Sequence, residues 1–170
     1  METLSGSAVA DLDIAQASLS EISQLIDAAL SHLKRVCSVD GQLSPTLLDE
    51  NQLVSYDISF CVADQSASQN LIGYAREVCH EDALAAWVAC QFVAESTKSI
   101  AARLGSRPAD YGLTSQLVAS ALAKSDALGL TDFYLAGARM AALGAALINR
   151  EGDYLPANLD EEKLIIRDTF

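Results

Sequence analysis

A strict seven-residue repeat of apolar residues in the first long segment constrains the fold more than any other feature of this sequence. The repeat has two rows, Leu12, Leu19, Ile26 and Leu33 in one, and Ala15, Ile22, Ala29 and Val36 in the other. Rows at this spacing lie on one side of an α-helix and form the seam along which helices pack in a bundle. Since Asp40-Gly41 is a turn signal, we expect a long first helix that ends before it.

The composition also favours close-packed helices over a sheet sandwich. Hydrophobic residues make up 51% of the 170 residues, with Ala, Leu, Val and Ile prominent, whereas aromatic residues account for only 6% and there are three prolines. This balance is typical of helical domains. We therefore predict an all-α fold, an antiparallel bundle of four to five long helices with heptad-like packing, in which residues 1–150 form the bundle domain.

A second long helix is predicted from Ser44-Pro45 to about His80, because serine is a favoured cap and proline is tolerated at the first helical position. Its two rows are Leu47, Val54, Cys61, Ser68 and Ala75, and Ile58, Gln65, Ile72 and Cys79. Gln65 and Ser68 are polar members of this stripe. Either they hydrogen-bond across the bundle and fix its register, which we prefer, or they mark a face toward solvent or a partner.

A third helix is predicted from Asp82 to Gly105. Its connection to the second helix is very short, so the two helices should form an antiparallel hairpin. Thr114 is expected to cap a fourth helix, whose buried side would hold Leu117, Val118, Ala121 and Leu122.

After a break near Gly129, Thr131 is expected to cap a last helix that runs from Phe133 to Ile148. This helix has small residues at helical spacing: Gly137, Ala141, Gly144 and Ala145. Small side chains let a neighbouring helix approach closely. We expect another helix to pack on this small-residue face.

The charge balance excludes several classes of partner. The formal net charge is -12, and binding to a phosphate backbone or an anionic membrane surface requires clustered Lys and Arg. Residues 1–15 contain no basic region of the kind found in signal peptides, and the apolar run from Met140 to Ile148 is too short to span a bilayer. We expect a cytoplasmic protein with no membrane span and no nucleic-acid partner.

The four cysteines are expected to be reduced. Cys37, Cys61, Cys79 and Cys90 include no Cys-x-x-Cys pair, and a chain of this length does not need disulfides to fold.

A di-iron centre is the sharpest hypothesis for a helical bundle. Glu77 and His80 have the Glu-x-x-His spacing of such centres, but the second motif is missing because His32 has Ala29 three residues before it. Cys79 and His80 are adjacent on a helix and should point about 100° apart, which argues against a thiolate–imidazole pair. We expect neither a metal site nor a nucleophile here.

Two charged groupings are candidates for binding surfaces. Glu50, Asp57 and Asp64 lie seven residues apart, so they are predicted to form an acidic strip. We interpret the strip as a solvated face, with a basic partner surface as the alternative. Separately, basic and aromatic side chains converge after the third helix, at Arg103, Arg107 and Tyr111. A phosphate or other anion could bind these three residues, although arginines near a helix end are commonly ordinary surface residues.

Residues 151–157 are predicted to be a linker, and residues 158–170 begin like a new helix. Asn158 can act as its cap and Glu161 occupies the capping-box position. A helix of about a dozen residues is marginal alone in water. We therefore expect this segment, with Ile166 and Phe170 on one face, either to dock on the bundle or to continue as part of a larger protein.

The stretch Leu159–Phe170, LDEEKLIIRDTF, resembles the first helix of the N-terminal domain of flavin-dependent acyl-CoA dehydrogenases. The upstream stretches Val39–Ser44, Leu53–Cys61 and Arg107–Leu113 look similar to a helical extension that some members of this family carry before that domain. The upstream helices are also similar to the C-terminal helical bundle of the family. The resemblance is loose over most of the chain and tight over its final dozen residues.

The resemblance implies a parent enzyme that binds FAD and carries out α,β-dehydrogenation of an acyl-CoA. A carboxylate base would remove the α-proton, and a hydride would pass from the β-carbon to the flavin. The residues for that chemistry would follow Phe170, so the resemblance assigns no catalytic, cofactor-binding or metal-binding residue to this segment and implies that it is inactive alone.

In that reading the segment serves packing or oligomerisation, with the remainder of the parent enzyme and further copies of the chain as its partners. The alternative is a standalone helical adaptor module without catalysis, which would bind a partner through the acidic strip or the small-residue face.

Overall fold

The computed structural model describes residues 8–126 and 129–150, and the all-α prediction is confirmed over them. The helices are α1 (Ala8–Val36), α2 (Pro45–Glu50), α3 (Gln52–Val78), α4 (Ala83–Ser106), α5 (Ser115–Asp126), α6 (Leu130–Tyr134) and α7 (Gly137–Ile148). Two short strands, β1 (Ser38–Val39) and β2 (Gln42–Leu43), pair antiparallel, and a 3-10 turn covers Pro108–Tyr111. The predicted linker 151–157 and the predicted helix 158–170 lie outside the described residues.

The heptad repeat of α1 faces the core as predicted. Six of its eight members are buried, and Leu33 and Val36 at the end of the helix are half-buried. The turn signal after α1 is also confirmed. Asp40 and Gly41 both have positive φ, 50° and 79°, which is the requirement of the type I′ turn that joins two antiparallel strands. The strand pair itself was not predicted.

Helices α1 and α3 run antiparallel and are joined by side-chain pairs along their length. Arg76 bonds Asp13 at 2.7 Å, and Gln69 exchanges hydrogen bonds with Gln16. Helix α4 returns from α3 after a short connection and packs on both, so the predicted hairpin is confirmed. Two apolar clusters lie between these helices, one at the α6 end of the bundle and one at the α5 end.

The two polar residues in the heptad rows of α3, Gln65 and Ser68, differ in their hydrogen bonding. Gln65 Nε2 donates to Ser23 Oγ of α1 at 2.9 Å, so the prediction that it bonds across the bundle is confirmed. The Ser68 hydroxyl is fully buried but has no hydrogen-bond partner among the described residues, so the prediction is wrong for Ser68.

The predicted second helix is in fact two helices. Ser44 caps α2 as expected, because its side chain accepts from the backbone N–H of Leu47. Asn51 then interrupts the helical run with φ -104° and ψ 24°, and its side chain donates to the carbonyl of Leu47 at 2.8 Å. A side chain that competes for backbone groups in this way ends one helix and starts the next.

The end of the bundle also departs from the prediction. Thr114 caps α5 as expected, accepting from the N–H of Leu117 at 3.1 Å, but the Leu117 side chain is 47% exposed. The last helix is split into α6 and α7. Gly129, with φ 73°, occupies the position before α6, whereas Thr131 lies buried inside that helix. The prediction of Thr131 as a cap is therefore wrong.

Candidate functional site

A charged cluster joins the start of α3 to the end of α4. Arg103 Nη1 donates to Asp57 Oδ1 at 3.0 Å, and Arg107 Nη2 donates to Asp57 Oδ2. Tyr111 in the 3-10 turn donates its hydroxyl to Asp57 Oδ2 at 2.6 Å. We call Asp57, Arg103, Arg107 and Tyr111 the Asp57 cluster. It ties α3, α4 and the 3-10 turn together through one carboxylate.

The electrostatics of the cluster favour the ionised carboxylate. Burial by itself would raise the pKa of Asp57, but hydrogen bonds from Tyr111 and Arg103 and the charge of Arg107 outweigh burial and hold that pKa below its ordinary value. Burial also raises the pKa of Tyr111, so its hydroxyl keeps its proton and acts as a donor. A carboxylate held in this state has no tendency to take a proton near neutral pH, so it is unsuited to general-base catalysis.

The geometry corrects the prediction of an acidic strip. Asp57 is buried and bonded inside the chain, whereas Glu50 and Asp64 make no hydrogen bond or ion pair with the described residues. The three side chains do not form one solvated face because Asp57 lies among the core residues Val54, Ile58 and Cys61 of α3. The partners of Asp57 are arginines of the same chain.

The same contacts explain what the predicted anion site holds. Arg103, Arg107 and Tyr111 are brought together as the sequence suggested, but the anion they bind is the Asp57 carboxylate. Asp110 Oδ2 adds a second negative charge 3.6 Å from Arg107 Nε. The two arginines are thus balanced by two carboxylates of the same chain. The cluster is best explained as a structural connection.

A second polar group lies where α6 meets α1 and α4. The Tyr134 hydroxyl donates to Asp11 Oδ2 at 3.0 Å. The buried Cys90 thiol also interacts with Tyr134, and burial raises the pKa of Cys90 to about 12. A thiol with this pKa remains protonated near neutral pH and is a poor nucleophile. This group therefore offers no activated residue.

The histidines and the remaining cysteines do not form a site within the part of the chain that is described. His80 follows the end of α3 and lies 3.3 Å from Glu81 Oε1, with most of its side chain exposed. His32 contacts Arg35. Among the described residues, no three His, Cys, Asp or Glu side chains converge as metal ligands. None of the four cysteines is paired in a disulfide; Cys37, Cys61 and Cys90 are buried and Cys79 is half-buried.

Helix α7 presents an apolar surface that other described helices leave uncovered. Leu143 is its only buried residue, while Met140, Leu147 and Ile148 are 45%, 41% and 77% exposed. Every exposed residue of α7 is apolar. These residues form what we call the α7 surface: Gly137, Ala138, Met140, Ala141, Ala142, Ala145, Leu147 and Ile148.

The charged group of α7 is turned away from this surface. The Arg139 guanidinium lies 3.7 Å from the centroid of the Phe133 ring and 5.7 Å from that of Trp87. Arg150, just past the helix, forms an ion pair with Asp82, which also caps α4. These contacts attach α7 to the bundle and leave its outer side without charge.

The expectation for the small-residue face is not met within residues 8–126 and 129–150. Gly137, Ala141 and Ala145 are exposed, and Gly144 is half-buried, so no described helix approaches them closely. The larger residues of the α7 surface lie in the apolar run from Met140 to Ile148, which the sequence identified as too short to span a bilayer but not as a binding surface. The available signal was that α7 carries one charged residue in twelve, which is unusual for a helix at the edge of a bundle.

The chain matches no family model, no curated protein and no solved structure. Within the described ranges, no helix is both long and apolar enough to cross a membrane.

Proposed function

We propose that this bundle is a packing and oligomerisation module of an acyl-CoA dehydrogenase-like flavoprotein. The packing role follows from the α7 surface. Eight apolar residues lie side by side on it, and no charged side chain interrupts them. A contiguous exposed apolar surface of this kind marks a site where another segment or protein binds.

The polar sites support a non-catalytic role for this segment. The Asp57 carboxylate is used by two arginines and a tyrosine, and the Cys90 thiol is buried with a raised pKa. Both groups stabilise contacts between helices. In the proposed enzyme, the FAD, the acyl-CoA and the catalytic carboxylate would be held by other residues.

The flavoprotein part of the proposal is supported by the resemblance of residues 159–170 to the first helix of that family. Determining the coding sequence beyond Phe170 tests it directly. Several hundred further residues with a β-rich middle domain would support the proposal, and a stop codon directly after Phe170 would overturn it.

A matched pair of substitutions tests the packing role. Leu147→Asp introduces a charge on the α7 surface, and Leu117→Asp introduces the same charge on α5 at a residue with similar exposure, 47% against 41%. If the α7 surface is covered in solution, Leu147→Asp should lower the melting temperature or the sedimenting mass, and Leu117→Asp should change neither. Equal behaviour of the two variants and the parent would refute the packing role.

The standalone adaptor is the second candidate, and the internal cores of the bundle favour it. Two buried clusters lie within residues 8–134, so the bundle has the interior of an independently folded domain. A cooperative circular-dichroism melt of the chain, with no tendency to aggregate, would support this candidate. Aggregation that Leu147→Asp relieves would instead favour a module that needs its partner.

A further inference from the structure

We propose that a second copy of this chain binds the outer side of α3, with the two α3 helices antiparallel about a twofold axis. The proposal rests on the oligomerisation role given above, names the partner, and places the contact on a surface other than α7. It starts from three large apolar side chains of α3, Leu53, Tyr56 and Phe60, which are 58%, 57% and 41% exposed.

The outer side of α3 carries a second heptad repeat that no other described helix covers. Six exposed residues recur at alternating intervals of three and four, and we call them the outer seam: Leu53, Tyr56, Phe60, Ala63, Ala67 and Asn70. This alternation is the pattern by which one helix packs along another in a coiled coil. The formal net charge of the chain is -12, yet no exposed residue from 52 to 73 is charged. The outer seam is therefore suited to contact with another helix.

A groove along α4 lies beside the outer seam. Leu53 lines the groove on the α3 side. Three small exposed residues line it on the α4 side: Ser99, Ala102 and Ser106. The Arg103 guanidinium lies 5.1 Å from the centroid of the Phe60 ring, which attaches this large side chain to α4. The outer seam and the small residues of α4 thus form one face, two helices wide, which we call the α3–α4 face.

Antiparallel pairing gives every large residue of the outer seam a smaller partner. When two identical helices pair in opposite directions about a twofold axis, the residues of one seam meet those of the other in reverse order. The layers are then Leu53 with Asn70, Tyr56 with Ala67, and Phe60 with Ala63 of the partner. A parallel pair would instead place each aromatic ring on its own copy and leave a gap between facing alanines. Since the centre of an interface packs as densely as a protein interior, the seam favours the antiparallel arrangement.

The charges beside the outer seam favour the same arrangement. Helix α4 runs antiparallel to α3 and Arg103 bonds Asp57, so Glu95 lies at about the level of Asp64. These two acids lie on one side of the midpoint of the seam, and Arg103, which is 32% exposed, lies on the other. Lys98 is half-buried at a level between the acids and Arg103. A twofold axis through the midpoint brings both acids toward Arg103 of the partner, and charges at the margin of an interface set its orientation more than its affinity.

The α3–α4 face approaches the area of the smallest stable interfaces. Residues 53–70 of α3 span about 27 Å, and two packed helices are about 20 Å wide, which gives roughly 550 Å². Stable complexes bury about 600 Å² or more on each partner. Helix α7, with 12 residues, presents roughly 200 Å² in the same measure. We therefore expect a dimer that forms at micromolar concentration, through the larger of the two surfaces.

Sedimentation of the full chain at pH 7 tests the proposal. The sedimenting mass should rise from one chain to two between about 1 and 100 μM. Ala63→Asp places a charge at the middle of the outer seam, near its symmetry copy, and should raise the dissociation constant about tenfold or more. Val62→Asp is the matched control, because Val62 is exposed but lies about 100° around the helix. It should leave the dissociation constant within about twofold of the parent value, and circular-dichroism melts should show that both variants fold.

An exchange of side-chain sizes tests the antiparallel layer itself. Phe60→Ala and Ala63→Phe should each raise the dissociation constant, the first by leaving a gap and the second by crowding two rings. The double variant restores one large and one small residue to the layer, so it should dimerise more tightly than either single variant. A double variant that dimerises no better than the single variants would overturn the antiparallel pairing.

The outcomes separate this proposal from the oligomerisation role. If Ala63→Asp and Val62→Asp have equal effects on the dissociation constant, the proposal is wrong. If Leu147→Asp dissociates the dimer and Ala63→Asp does not, the copies meet through α7, so the proposal fails while the oligomerisation role stands. If the parent chain is a monomer up to about 100 μM, the proposal and the oligomerisation role both fail, and the melting temperature of Leu147→Asp decides the packing role separately.

Discussion

Asp57→Asn is the most informative single substitution, because its effect on stability distinguishes a buried ion cluster from a solvated acidic strip. The substitution keeps the size of the side chain but removes the charge and one acceptor. The new amide N–H₂ group would face the donor of Arg103 where it replaces Oδ1, or the donors of Arg107 and Tyr111 where it replaces Oδ2. Arginines that lose a carboxylate partner at the edge of the core are destabilised.

The size of the effect follows from burial. Removing one member of a fully buried ion pair costs about 3–5 kcal/mol, while an exposed pair contributes about 0–1 kcal/mol. The Asp57 side chain is 11% exposed, but its arginine partners are about a third exposed. We therefore expect a loss of about 2 kcal/mol in the free energy of unfolding, between these limits. For a chain of this length that lowers the melting temperature by about 4–8 °C.

The assay is chemical denaturation of the parent chain, Asp57→Asn and Asp64→Asn at pH 7, each also followed by a thermal melt. Asp64 is the matched control, since it lies one heptad further along α3 and makes no hydrogen bond or ion pair with the described residues. Asp64→Asn should change the free energy of unfolding by less than about 0.5 kcal/mol. Equal effects of the two substitutions would refute the argument for the cluster.

The pH dependence of stability tests whether the charge of Asp57 is responsible for its contribution. The pKa of Asp57 is lowered in the folded state, so its contribution to stability is complete above the unfolded pKa of about 3.9. That contribution is lost as the pH falls through the lower folded pKa. The stability difference between the parent and Asp57→Asn should therefore be constant from pH 7 to about 5 and shrink below about 4. A difference that stays constant into strong acid would show that the carboxylate charge is not responsible.

Three further predictions concern local geometry. Gly112→Ala should lower the free energy of unfolding by more than Gly129→Ala in denaturant titrations. Both glycines have positive φ, but only a Cβ at Gly112 would overlap the His32 ring. Equal losses of unfolding free energy in the two variants would contradict this. A thiol reagent should label Cys79 in the native chain and the other three cysteines only after unfolding, since those three are buried, and mass spectrometry would count the labels. Gln65→Ala should lower the free energy of unfolding by about 1 kcal/mol through loss of the bond between α1 and α3, and a neutral result would show that this bond does not fix the register.

Local sequence signals predicted the helix boundaries correctly where a single capping or turn residue marked the start of the helix. Ser44, Asp82 and Thr114 each accept a backbone hydrogen bond at the helix start where the sequence places them. The predicted boundaries were wrong where two weak sequence signals competed. Asn51 interrupts a pattern that is otherwise helical, and Gly129 rather than Thr131 precedes α6.

The sequence by itself determined the all-α class, the seam of α1 and the hairpin of α3 and α4, because periodicity and capping act within a few residues of each other. Tertiary structure alone decided which charges are buried. Asp57 is one of several acids at heptad spacing, and only the approach of Arg103 in α4 and of Arg107 just after it sets Asp57 apart. The uncovered side of α7 was likewise a tertiary outcome, since an apolar helix is exposed or buried according to what packs on it.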